Sequence, residues 1–180
     1  SGVKEALGGL HSAKILLHSV DFAPIEAMMQ KGNWAEIASI LIEAGHGLEK
    51  SGADFLLICT NTMHKLAPDI ENRVDIPLLH IGDATGDALL AANIKRVGLL
   101  GTAFTMEQGF YKDRLAEKFS LDVMVPEQHD RETVNRIIFN ELCRGRVTET
   151  ARQDYRRIIK SLRDRGAEAV ILGCTEIGML

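Results

Sequence analysis

Gly52-Ala53-Asp54-Phe55-Leu56-Leu57-Ile58-Cys59-Thr60-Asn61-Thr62 returns later in the chain as Gly166-Ala167-Glu168-Ala169-Val170-Ile171-Leu172-Gly173-Cys174-Thr175-Glu176. Aligned without a gap, each copy reads as Gly-Ala-acid, four apolar residues and a short polar turn. In this register Thr60 lies opposite Cys174, and Cys59 lies opposite Gly173. A repeated strand with a proton-handling side chain at each tip predicts two half-sites facing one substrate. That is the geometry of a two-base enzyme.

The chain around this repeat alternates strand-like and helix-like segments. Strands are expected over residues 13–20, 54–59, 78–81, 96–102, 121–125 and 168–172. Helices are expected over 24–31, from Asn33 as a cap through Leu48, from the Thr62 turn to about Arg73, over 83–93, to Phe119, over 130–143 and over 148–164. The last two carry Val134, Ile137, Ile138, Leu142 and Ala151, Tyr155, Ile158, Leu162 at helical spacing. Pro68 inside the third of these leaves its course open. Near-continuous apolar strands between amphipathic helices predict an α/β fold with parallel sheets covered on both faces. The repeat predicts two such domains, residues 1–94 and 95–180. Ligands of open parallel sheets sit beyond the carboxyl ends of the strands, where Thr60–Thr62, Gly101–Thr102 and Cys174–Glu176 all fall.

With 180 residues, 46% apolar and 26% charged, the chain has the composition of a soluble globular protein. A net charge of −4 argues against nucleic acid or an anionic membrane as partner. Arg144, Arg146, Arg152, Arg156 and Arg157 read as solvated helix faces. No run is apolar enough to span a bilayer and Ser1 begins nothing like a signal peptide. Three cysteines without metal-ligand spacing predict a reducing, cytoplasmic setting. No zinc spacing, phosphate loop or dinucleotide fingerprint occurs.

Cys174 is the leading candidate for chemistry. It ends an apolar strand before an expected helix, whose N-terminus would lower its thiol pKa and give a thiolate able to act as base or nucleophile. Thr60 is a poor base but an adequate proton donor to a carbanion. Cys59 is expected to face the core, while remaining a rival for the second proton-transfer role. Asn61, Thr62, Thr175 and Glu176 offer short polar groups and backbone N–H donors at two expected helix starts, suited to a carboxylate. Glu176 itself fits a substrate ammonium or a structural hydrogen bond. His64, His18 and His80 read as structural.

The "CTNTMHK", "LLGTAFTMEQGFY" and "GCTEIG" stretches together resemble the cofactor-independent aspartate/glutamate racemase family, especially its bacterial amino-acid racemase branch, over essentially the whole chain. The resemblance implies two pseudo-symmetric α/β/α domains with an amino-acid substrate in the cleft between them. It implies homodimers, and two cysteines acting on opposite faces of Cα without pyridoxal phosphate or metal.

Thr60 stands where that family has its first cysteine, one residue after Cys59. The pair is therefore expected to be asymmetric, with Cys174 taking a proton and Thr60 delivering one, and to favour L to D. The family's first strand and its C-terminal return segment are expected to lie outside residues 1–180. Sister enzymes of the same fold (hydantoin racemase, maleate isomerase, arylmalonate decarboxylase) and a non-catalytic carboxylate sensor are the competing readings.

Overall fold

The computed structural model describes residues 2–180. Their contacts form two compact units, one holding the chain to Leu56 with Asp69–Pro77, the other holding Leu57–Pro68 with Leu78–Leu180. The second unit thus takes in the Thr60 turn from the first half of the chain.

In the first unit, α1 (Gly2–Leu7), α2 (Phe22–Lys31) and α3 (Trp34–Lys50) are the main helices. Asp21 caps α2 by accepting the Ala23 N–H at 3.2 Å. Gly32 then turns the chain at φ +73° into α3. Asn33 sits at the expected cap of α3 but makes no side-chain capping bond. Ile25, Met29, Ile37 and Ala38 supply the buried stripe. Glu49 near the end of α3 accepts the N–H groups of Asp75 and Ile76 at 3.0 and 3.1 Å.

The strands expected over 13–20, 54–59 and 78–81 do not form. Residues 13–20 have no regular structure, and only single-residue bridges remain at Leu56 and Leu78. A parallel strand exists only against a neighbouring strand, so an apolar run without a ladder stays irregular. Ile15 and Leu17 are accordingly 78% and 80% exposed.

The second unit is a three-layer α/β/α sandwich. Its parallel sheet has the order β2–β1–β3, with β1 (Arg96–Gly101) central, β2 (Asp122–Met124) on one side and β3 (Ala169–Gly173) on the other. The central strand alternates its side chains. Val97 and Leu99 pack with Leu89 of α5 (Ile81–Ala91) and with Tyr111, Leu115 and Phe119 of α7 (Gly109–Phe119). Leu100 packs on the other face with Val134, Ile137 and Ile138 of α8 (Gln128–Asn140) and Tyr155, Ile158 and Leu162 of α9 (Glu149–Asp164). These are the stripes that the helical spacing predicts.

The segment between Thr62 and Arg73 is shorter than a single helix. A 3₁₀ turn, Thr62–Leu66, leads into α4 (Ala67–Glu71), and Pro68 falls in the first turn of α4, where no N–H is needed. After β1, α6 (Ala103–Glu107) breaks at Gln108 before α7 begins. The arginines expected to be solvated are partly committed. Arg157 makes a two-pronged bond to Asp130 at 2.7 and 3.1 Å, and Arg152 donates to the Leu180 carbonyl at 3.1 Å.

The register pairs Gly101 with Gly173 at the carboxyl end of the sheet. A β-carbon on Gly101 would stand 2.9 Å from the Gly173 carbonyl oxygen, and one on Gly173 would stand 2.8 Å from that of Leu100. Both clashes are with backbone, which cannot swing aside. Gly101→Ala should therefore destabilise the fold by about 1–3 kcal/mol in urea unfolding. Gly47→Ala, in α3 with nothing near its would-be β-carbon, should instead stabilise by about 0.5–1 kcal/mol. Equal effects of the two would overturn this account of the strand tips.

Candidate active site

Thr102 follows the Gly101 tip and Cys174 follows the Gly173 tip, so the two leave adjacent strands side by side. The Thr102 hydroxyl accepts the Thr105 N–H at 3.4 Å, capping α6, and Ala103 N–H donates to Asn135 Oδ1 at 2.8 Å. Thr62 reaches this tip from the Thr60 turn. Its hydroxyl lies 3.0 Å from that of Thr102 and 3.3 Å from that of Thr105, and the latter two are 3.3 Å apart. All three threonines are buried. The triangle of hydroxyls pins the Thr60–Thr62 turn to the end of β1, beside the end of β3 that carries Cys174. Thr62 and Thr102 were legible in the sequence as strand-tip residues; Thr105, one turn into a helix, gave no signal.

Asn61 is buried and Thr60 is half-buried. The helix starts expected at Thr62 and Thr175 are five-residue 3₁₀ segments, Thr62–Leu66 and Thr175–Met179. Neither is long enough to build the dipole that an α-helix N-terminus offers an anion. Cys59, expected to face the core, is exposed. No ladder holds residues 54–59, so strand alternation does not set its direction.

The Cys174 thiol is pushed up to about 12, not lowered. Burial is the first cause, and the second is its hydrogen bond to Glu176, whose Oε2 accepts the Sγ–H at 3.0 Å. The same oxygen accepts the Thr175 hydroxyl at 2.6 Å. Burial works to raise the Glu176 carboxyl, but the bonds from Cys174 and Thr175 outweigh it and hold the group below its ordinary value. Glu176, read from sequence as a substrate contact, is thus the immediate partner of the thiol. At rest the pair is a neutral thiol facing a carboxylate.

His64 and His80 lie in the same unit. The His64 ring bridges the Thr60 carbonyl, 2.8 Å from Nδ1, and the Ile81 N–H, 3.1 Å from Nε2. His80 caps α5 by accepting the Gly82 N–H at 3.0 Å, and the two rings meet edge-on at 4.3 Å. Burial, then His64 and Arg114, lower the His80 pKa to about 4. Beside them Asp83 binds Arg114 at 2.5 and 2.8 Å and Lys118 at 2.5 Å, and the Arg114 bond holds its carboxyl far below the usual range. His18 instead lines a groove of about 600 Å³ in the first unit, with Glu43, His46, Lys50 and Arg73. Among the described residues no His/Cys/Asp/Glu group is arranged to hold a metal ion, and no helix is long and apolar enough to cross a membrane.

A parallel α/β unit with paired strand tips of this kind defines a class of enzyme fold, and comparison with known proteins identifies the class. The family model for Asp/Glu/hydantoin racemases matches residues 1–180, and the chain belongs to that family of isomerases. It is 53% identical to a candidate Asp/Glu racemase of known structure from Yersinia pestis, covering 99% of this chain and 77% of that one with a TM-score of 0.90. An aspartate racemase homologue from Pyrococcus horikoshii is 34% identical over 98% of this chain and 76% of that one, with a TM-score of 0.80. A glutamate racemase of Corynebacterium diphtheriae is 24% identical over 97% of this chain, and a broad specificity amino-acid racemase of Bacillus subtilis 28% identical over 57% of it. The chain spans 67% and 44% of the lengths of these two curated relatives.

Two outcomes follow from the electrostatics. Because the folded His80 pKa lies below that of a free imidazole, the unfolded chain binds more protons between about pH 4 and about pH 6.5. Stability should fall as pH drops through that window, by up to about 1.4 kcal/mol per pH unit for this group. His80→Asn keeps a capping oxygen and loses the titration, so its urea midpoint should fall less steeply with acid; an unchanged slope would refute the assignment. Glu176→Gln removes the charge facing the thiol, and should lower the pH midpoint of Cys174 alkylation by about one unit. An unchanged or higher midpoint would contradict the Cys174–Glu176 pairing.

Proposed function

We propose that the protein racemises a small polar amino acid, aspartate and glutamate foremost, by two-base proton transfer at Cα without pyridoxal phosphate or metal. The observation that carries the proposal is the anchoring of the Thr60 turn to the β1 tip, next to the β3 tip that bears Cys174. Family membership supports the same chemistry.

The proton inventory starts from a Cys174 thiol, a Glu176 carboxylate and a Thr60 hydroxyl. When substrate docks, the thiol passes its proton to Glu176 across their 3.0 Å hydrogen bond. A substrate ammonium nearer to Sγ than to the carboxylate would favour this step, since the pair keeps one negative charge and the transfer moves it onto sulfur. The thiolate then removes the Cα proton of the L-enantiomer, and the electron pair delocalises into the substrate carboxylate. Thr60 delivers its hydroxyl proton to the opposite face of Cα, giving the D-enantiomer. The Glu176 proton returns through solvent to the Thr60 oxygen, and the site is reset.

Charge grows on the substrate carboxylate during this sequence, so hydrogen-bond donors aimed there lower the barrier most. Asn61, Thr62 and Thr175 are the proposed donors, through their backbone N–H groups and through those side chains left available. Starting from the D-enantiomer, Thr60 must act as base, which is harder for an alcohol than for a thiol. The two enantiomers have equal free energy, so overall conversion balances in both directions and the asymmetry shows as faster exchange of the L-enantiomer's Cα proton with solvent.

The test is solvent-deuterium incorporation at Cα of L- and D-amino acids. The protein should exchange the L-enantiomer faster. Cys174→Ala should lose at least about 10³-fold of that rate, and Thr60→Ala about 10²-fold or more of the conversion of L to D. Exchange that survives both substitutions would end the two-base reading, as would a protein that exchanges no amino acid at all.

A further inference from the structure

We infer that His64 is the positioning residue of the Thr60 turn: its neutral ring, protonated on Nδ1, locks the Thr60–Asn61 peptide to the start of α5. The inference rests on the racemase reading of Thr60. It adds a requirement that neither the family match nor the two-base scheme contains.

The partners of His64 select one tautomer. A backbone amide only donates, so Nε2, 3.1 Å from the Ile81 nitrogen, carries no proton. A carbonyl oxygen only accepts, so Nδ1, 2.8 Å from the Thr60 oxygen, must carry it. The ring is 1% exposed and leaves no room for water to replace either partner. Burial also works against the imidazolium form, in which a second N–H would oppose that of Ile81. His80 braces the ring edge-on at 4.3 Å while capping the same helix. Asp83 then ties α5 to Arg114 and Lys118 of α7. The turn is thus fastened at two points, by the Thr62 hydroxyl to β1 and by the Thr60 carbonyl to α5.

The second fastening sets an angle. The Thr60 carbonyl and the Asn61 N–H share one rigid plane and point opposite ways. Holding the carbonyl towards His64 fixes ψ of Thr60, directs the Asn61 N–H away from His64, and sets the bearing of the Thr60 side chain. A hydroxyl that must deliver a proton to one face of one carbon tolerates little drift, and a displacement of about 1 Å is enough to lose about 10²-fold in rate.

His64→Asn and His64→Leu separate positioning from bulk stability. An Asn amide nitrogen can still donate to the Thr60 carbonyl, although Ile81 N–H loses its acceptor; Leu removes both bonds. In conversion of L to D, His64→Leu should lose about 10²-fold in kcat with KM within about threefold of wild type. His64→Asn should recover about tenfold or more of that loss, even where its melting temperature also falls. Losses that track melting temperature in both variants, or that appear in KM, would overturn the inference. The ¹⁵N spectrum of the imidazole in the ligand-free wild-type protein is an independent readout. Nδ1–H with bare Nε2 near neutral pH is expected, and the opposite tautomer refutes the proposal. A wild-type protein with the expected tautomer and no exchange on any amino acid would instead sink the racemase reading, and the positioning role with it.

Discussion

The close parallel approach of β1 and β3 at Gly101 and Gly173 is the constraint on which the site depends. Two backbones meet there with no space for a β-carbon on either. Only that approach lets Thr102 and Cys174 emerge as neighbours. Thr102 then captures Thr62, forty residues earlier in the chain, through a hydroxyl pair inside the fold. Buried hydroxyls hold each other because leaving one unbonded would cost about 1–3 kcal/mol. A steric fact about two glycines is thereby converted into the placement of a turn from another part of the sequence.

The amphipathic helices were legible because their signal is local. Tyr155, Ile158 and Leu162 lie on one face whatever surrounds them, and all are buried as that spacing requires. The strands of residues 96–102, 121–125 and 168–172 were legible for a second reason: each has a partner within the same unit. Residues 13–20, 54–59 and 78–81 carry comparable apolar runs and form no ladder, since pairing is a property of two segments and not of one. The internal repeat set Thr60 opposite Cys174, although only the second of its two apolar runs forms a strand. It could not say that Thr62 makes the anchoring bond, that Thr105 joins it, or that Cys59 faces water.

The electrostatics of Cys174 were the least legible feature. A cysteine before a helix normally gains from the helix dipole, and that reasoning needs an α-helix several turns long. A five-residue 3₁₀ segment supplies little of that field, and the carboxylate two residues on supplies the opposite one. Glu176 stabilises the protonated thiol and is also the acceptor nearest to it. At rest the carboxylate opposes loss of the thiol proton, so the sulfur stays protonated. The resting thiol is accordingly spared the side reactions that beset a permanent thiolate.

Ile15, Leu16 and Leu17 lie in sequence on a stretch whose peptide groups belong to no sheet, and all three present hydrocarbon to water. Such a ribbon offers a passing strand both a hydrogen-bonding edge and an oily surface, the two ingredients of edge-to-edge adhesion. Lys14 is the only charge in the run from Ala13 to Val20, so little repels a second ribbon laid alongside. A strand laid against residues 15–17 would bury all three side chains and give their peptide groups partners.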